Sequence, residues 1–121
     1  MSSSQVATYE RGLAAAMAKA GARPLSIYAV EAYRQCAQQV RTIGAAPIFL
    51  IPPSTTQIDI DTESTGLAGV VMAFNNPRVY PNLFRSSVRR DAQHLTKSGA
   101  EEFTRIVGAN FVELARAGAI K

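Results

Sequence analysis

The feature that most constrains the fold is the run Pro47-Ile48-Phe49-Leu50-Ile51, closed by Pro52-Pro53. Its hydrophobicity is continuous rather than alternating. A strand of that kind is covered on both faces, as in a parallel sheet. A second run, Gly69-Val70-Val71-Met72-Ala73-Phe74, ends at Asn75-Asn76-Pro77 and reads the same way. The first run follows a helical pattern and a Gly-Ala-Ala turn, which is the αβ half of an α/β unit.

The helical patterns are three. Val6, Leu13, Met17 and Ala20, with Tyr9 beside them, predict a helix over residues 5–20, preceded by serines that can cap it and stopped by Gly21. After a short break at residues 22–25, Ser26 is placed as an N-cap. Ile27, Val30, Tyr33, Ala37 and Val40 then make an apolar stripe that stops at Gly44. Thr96 caps the last helix, with Ser98 to Glu101 as a capping box one register later. Phe103, Val107, Phe111 and Leu114 form its stripe and Gly118 is its stop. Residues 54–66 are polar, with room for a short helix. Residues 75–93 carry no sustained period and form a long loop anchored by Tyr80 and Phe84, and a loop of that length in a compact domain is usually functional.

Two parallel strands are fewer than the roughly four to six of an ordinary open sheet. The 121 residues therefore read as a single α/β domain, 1–121, that is the second half of a doubly wound fold. With 47% hydrophobic and 18% charged residues the chain can bury a core. The net charge of +4 is scattered, apart from Arg85, Arg89 and Arg90, which read as a solvated loop face. No dense basic stripe interleaved with aromatics is present, so no nucleic-acid partner is expected. The single cysteine, Cys36, excludes an internal disulfide and leaves no cysteine pair for zinc; its place in a helical stripe reads as a half-buried structural thiol. Asp59, Asp61 and Glu63 lack the glycine and spacing of a calcium loop. No apolar run approaches the ~20 residues of a membrane span, and no signal peptide precedes the first helix. No membrane partner and no cofactor are expected, and the default compartment is cytoplasmic.

The chemistry concentrates in Asp91-Ala92-Gln93-His94-Leu95-Thr96-Lys97-Ser98-Gly99-Ala100, where an acid and the only histidine sit three residues apart before a capped helix. In open α/β sheets ligands bind beyond the carboxyl ends of the strands. Parallel strands would bring Ser54, Asn75-Asn76 and the Asp91 loop to one edge. An imidazole titrates near neutral pH and is the usual general base for a hydroxyl, and a carboxylate on its other nitrogen fixes the tautomer. Asp91 and His94 are thus the candidate site residues. Ser54 reads as a turn residue rather than a nucleophile.

Residues 90–108, from Arg90-Asp91-Ala92-Gln93-His94-Leu95 through Gly99-Ala100 to Gly108, resemble the last conserved block of the SGNH (GDSL-like) hydrolases. That block runs Asp-x-x-His-Leu, then Gly-Ala and a final amphipathic helix. The resemblance implies a partial flavodoxin-like, SGNH-type three-layer fold, with a short parallel sheet flanked by helices. It also implies that Asp91 orients His94 in a serine triad. It extends in outline over residues 26–117, and its specific part is Asp91 to Ala100. The family's Gly-Asp-Ser nucleophile block and its later Gly and Gly-x-Asn-Asp blocks have no counterpart here, and Ser2, Ser3 and Ser4 follow no apolar strand.

The expectation is therefore an SGNH-hydrolase-like segment of a serine esterase or deacetylase. Its substrate would be a small ester or an acetylated saccharide. The chain would be inactive alone unless a missing amino-terminal segment or a complementing chain supplies the nucleophile. The alternative is a non-catalytic module that self-associates through exposed strand edges.

Overall fold

The computed structural model describes residues 1–19, 23–55, 60–61, 71–118 and 120. The first helix, α1, spans Ser3–Ala18. It starts two residues earlier than its apolar pattern, because Ser2 and Gln5 form a reciprocal capping box. The Ser2 N–H donates to Gln5 Oε1 at 2.7 Å, while the Gln5 N–H donates back to Ser2 Oγ at 3.4 Å. These bonds satisfy donors that a helix start otherwise leaves orphaned. Helix α2, Ile27–Thr42, begins after Ser26, whose hydroxyl accepts from the Ala29 N–H. It gives way to a turn at Gly44, where φ of +79° suits a residue without a Cβ. Helix α3, Lys97–Arg116, is capped by Thr96 and followed by Gly118 at φ +72°.

Among the described residues, four short strands pair in twos. β2 (Phe49–Ile51) and β4 (Val71–Ala73) run parallel with Leu50 opposite Met72. β1 (Arg23–Pro24) and β3 (Ile60–Asp61) form a second parallel pair. The chain is thus a mixed α/β structure with parallel strands, as the apolar runs imply. Two details correct the pattern reading. Residues 23–24, expected as a break, are a strand. Residues 60–61 are extended, where the polar stretch left room for a helix. Two-residue strands give no periodicity to read, so only pairing with a distant partner defines them. Ala20, Gly21, Asp59 and Glu63 lie outside the described residues.

Side chains alternate across a strand. Met72 and Phe74 point to one face, where they join Leu83 and Phe84 in the core; Ile48, Leu13 of α1, and Phe103, Ile106, Val107 and Leu114 of α3 pack around them. Phe49 points to the other face and meets Tyr33 of α2 edge-on, with ring centroids 4.7 Å apart. Helices α2 and α3 therefore cover opposite faces of the β2–β4 pair.

The apolar stripes need three corrections. Ile27 is 77% exposed and belongs to no contact face. Phe111 is exposed, and Ile106 takes the core position instead. Cys36 is exposed rather than half-buried, because the buried line of α2 runs through Val30 and Ala37.

The segment expected as one long loop is a folded strap. Two 3-10 turns, Pro81–Phe84 and Ser86–Val88, bury Leu83, Phe84 and Val88. Tyr80 packs on Phe74 at 5.1 Å and Phe84 is 3% exposed, so both aromatics anchor the strap as expected. Three-residue turns repeat too few times to leave a sequence period. No helix among the described residues is long and apolar enough to cross a membrane.

Candidate active site

The site is a small hairpin between the strap and α3. Its neck is closed by backbone bonds from the Thr96 N–H to the Val88 carbonyl at 2.8 Å and from the Arg90 N–H to the His94 carbonyl at 2.9 Å, with Arg89 bridging Leu95. Asp91 organises the tip. Its Oδ1 accepts from the Gln93 N–H at 2.8 Å and from the His94 N–H at 2.9 Å. An aspartate favours such turns because its short side chain reaches the backbone two and three residues on. The same carboxylate meets His94 Nδ1 at 2.9 Å through both oxygens. Three residues is therefore the spacing at which one carboxylate can hold both the backbone and the ring of the histidine.

Asp91 is held well below the usual carboxylate range, at about 2 against 3.8. The largest cause is the Gln93 backbone N–H, followed by the hydrogen bond with the His94 side chain. The carboxylate is thus ionised at neutral pH, and the imidazole nitrogen facing it carries the proton as donor. In the neutral ring so held, Nε2 is the acceptor nitrogen. Among the described residues none bonds to Nε2. The side chains of His94 and Asp91 are 73% and 56% exposed, so their Coulomb attraction is screened by water. Backbone hydrogen bonding, rather than burial, fixes the pair.

Two anchors hold the hairpin. Gly99, in the first turn of α3, lies directly against Val88, and a Cβ there would run into the Val88 carbonyl. Arg89 is the other, and it overturns the solvated reading of that side chain. It is 1% exposed. Its Nε donates to the Leu83 carbonyl at 2.8 Å and Nη1 donates to the Pro53 carbonyl at 3.1 Å, while the guanidinium lies 4.9 Å over the Phe84 ring. Burial pushes its pKa down, with Tyr9 opposing the shift, and Nη2 makes no hydrogen bond among the described residues. Arg89 ties the carboxyl end of β2 to the strap two residues before Asp91. Nothing in a single sequence separates it from Arg85 and Arg90, which are exposed.

The end of β2 also reaches the tip. Ser54 Oγ donates to Gln93 Oε1 at 3.2 Å and Thr55 Oγ1 donates to the Ala92 carbonyl at 3.5 Å. The β2 terminus and the Asp91 loop are therefore adjacent, as parallel pairing predicts, with the Ser54 hydroxyl directed at Gln93. Asn76 accepts from the Arg78 N–H and shapes its own turn, and Asn75 is buried. Neither is joined to His94 by a described hydrogen bond.

Beside the tip is a pocket of about 240 Å³. Its walls include Thr8, Tyr9 and Gly12 of α1 and Thr55, Asp91 and Ala92 across from them. The Tyr9 hydroxyl donates to the Phe84 carbonyl at 2.8 Å, which fixes that ring in place. Sequence reasoning did not bring α1 to this site, because only the tertiary fold lays it there. Among the described residues no group of three or more histidine, cysteine or acidic side chains is placed to hold a metal ion. No protein-family model, no curated protein and no solved structure matches the chain.

Proposed function

We propose that this chain carries the acid–base pair of an SGNH-type hydrolase acting on esters, on a partial flavodoxin-like three-layer fold. The observation that carries the proposal is the Asp91 carboxylate, held by two backbone N–H groups and placed 2.9 Å from His94 Nδ1. That arrangement sets the neutral tautomer needed for Nε2 to act as a base. The opposite-face packing of α2 and α3 on a parallel pair supports the layered fold.

In the proposed step, His94 Nε2 takes the proton of an attacking hydroxyl as its oxygen bonds to the ester carbonyl carbon. The imidazolium then returns that proton to the departing alcohol. Water repeats the sequence on the acyl intermediate and releases the acid. Asp91 stabilises the imidazolium throughout. The attacking hydroxyl comes from a serine on a complementing segment or second chain, since the Gly-Asp-Ser block has no counterpart here and the Ser54 hydroxyl is engaged with Gln93.

The test is turnover of a short-chain aryl ester by the chain, with and without an amino-terminal partner segment carrying a strand and Gly-Asp-Ser. Loss of about 10²-fold or more in His94→Ala is the expected outcome for a general base. Turnover unchanged by that substitution would remove His94 from the mechanism.

A second reading has its own observation. Leu50 lies beside buried Met72 on the same sheet face, yet it is 43% exposed. In this reading the chain is a non-catalytic module that associates through exposed strand edges, with Leu50 of β2 at the contact. A monomeric mass at high concentration, unchanged in Leu50→Lys, counts against it.

A further inference from the structure

We infer that Tyr9 of α1 is a positioning residue for the Asp91–His94 pair, acting through Phe84 and Arg89. The inference rests on the hydrolase reading above and extends its machinery to a helix far from the pair in sequence.

Helix α1 meets the body through few groups. Tyr9 is its one buried residue, at 6% exposure. The Tyr9 hydroxyl donates to the Phe84 carbonyl at 2.8 Å, Ser86 Oγ donates to Glu10 Oε1 at 3.0 Å, and Arg78 Nη2 donates to the Met17 carbonyl at 3.2 Å. The first two of these bonds land on the 3-10 turns that lead into the hairpin. Arg89 stands on the same turns. Its guanidinium lies 4.9 Å over the Phe84 ring, its Nε donates to the Leu83 carbonyl, and its backbone N–H donates to the Ser86 carbonyl at 3.2 Å. Arg89 then bridges Leu95 at the hairpin neck, and the Arg90 N–H donates to the His94 carbonyl. Tyr9 therefore fixes Phe84, Phe84 and Ser86 fix Arg89, and Arg89 fixes where the Asp91 loop leaves the body.

Arg89 needs that support more than an ion-paired arginine would. Carbonyls and a ring face hold its guanidinium, and Nη2 makes no hydrogen bond among the described residues. A bidentate carboxylate would set the geometry of such a group by charge. Here packing sets it, and Tyr9 is part of that packing. Burial pushes the Tyr9 hydroxyl pKa up against the pull of Arg89, so the phenol keeps the proton that it gives to Phe84. Between α1 and the hairpin tip lies the pocket of about 240 Å³, with Thr8 and Gly12 on one wall and Asp91 and Ala92 on the other. The helix thus reaches the pair through Tyr9 rather than by pressing on the tip.

The test needs no turnover. The imidazole nitrogens of His94 are isotope-labelled in the full chain and followed by NMR with the ring neutral. In the parent the proton sits on Nδ1, facing Asp91. Tyr9→Phe deletes one buried hydrogen bond and should lower the ratio of the Nδ1–H to the Nε2–H tautomer about threefold. Tyr9→Leu also removes the ring and should lower it about tenfold. The Gln93 and His94 amides, which donate to Asp91, should exchange faster by similar factors. Tyr33→Leu is the control, because that ring packs on Phe49 on the other face of the sheet, and it should leave both readings at the parent level. Circular dichroism checks folding, and if Tyr9→Leu does not fold, Tyr9→Phe decides. An unmoved tautomer ratio in the folded Tyr9 variants, or an equal change in Tyr33→Leu, would overturn the inference. Such a failure leaves the His94→Ala turnover test intact, whereas absence of esterase turnover counts against the hydrolase reading and leaves the NMR result standing.

Discussion

Helices α2 and α3 lie on opposite faces of the same two strands, yet only one of them builds a core. Helix α3 closes over Met72, Phe74, Leu83 and Phe84, with Phe74 at 1% and Leu83 at 0% exposure. Helix α2 buries Val30 and Ala37 and leaves Ile27, Tyr28 and Ile43 largely in solvent. The candidate site belongs wholly to the α3 side, with Thr96 capping the helix, Gly99 against Val88, and Arg89 beneath the hairpin. A dyad as exposed as Asp91–His94 has little packing of its own. It borrows rigidity from the best-packed part of the chain, which is how a polar site is held without burying its charges.

Five measurements would break or sharpen this contrast. The largest effect is expected at the core, where Phe74→Ala should cost about 3–5 kcal/mol in denaturant unfolding. A comparable cost at Tyr33 on the α2 side would erase the asymmetry. Next is Arg89→Met, which strands the Leu83 and Pro53 carbonyls at about 1–3 kcal/mol each, offset in part by relief of a desolvated cation. If Arg89 positions the hairpin, this variant also lowers kcat while leaving KM nearly unchanged, and Arg89→Lys restores little because the two-pronged geometry is lost.

Gly99→Ala is third, at about 1–3 kcal/mol, because the added methyl meets the Val88 backbone. Its diagnostic readout is NMR shift change concentrated in residues 88–96. Smallest is the pH effect of the dyad. Asp91 has its folded pKa depressed from 3.8 to about 2, so its contribution to stability is fully present above the unfolded value and fades as pH falls from about 4 toward 2. The stability difference between the parent and Asp91→Asn should therefore be flat above pH ~5 and shrink across that acid window. A difference that grows as pH falls would contradict the sign. By contrast Tyr28→Ser on α2 should stay within about 0.5 kcal/mol of the parent, as its 85% exposure requires.

Much of the local structure was legible because it depends on neighbours in the chain. Ser26 and Thr96 cap the helices they were placed to cap, and turns at Gly44 and Gly118 follow α2 and α3 at positive φ. The continuous apolar runs imply parallel pairing, and β2 and β4 pair in parallel. The three-residue spacing of Asp91 and His94 is a local turn property, so their contact could be anticipated from the string alone. Ile27 and Cys36 show the limit of such patterns. Helical spacing assigns residues to a face without telling how much of that face another element covers.

The sequence by itself determined the helices and the acid–histidine contact, since each rests on interactions within a few residues, and its continuous apolar runs marked β2 and β4 as parallel strands. Only the tertiary structure decided that Arg89 is buried while Arg85 and Arg90 are not, and that α1 lies across from the Asp91 loop with Gly12 facing the gap. Both outcomes depend on residues distant in sequence. Arg89 bonds to Pro53, 36 positions away, and Tyr9 bonds to Phe84, 75 positions away. Burial and cavities are properties of what surrounds a residue in space, and short-range periodicity carries no record of that.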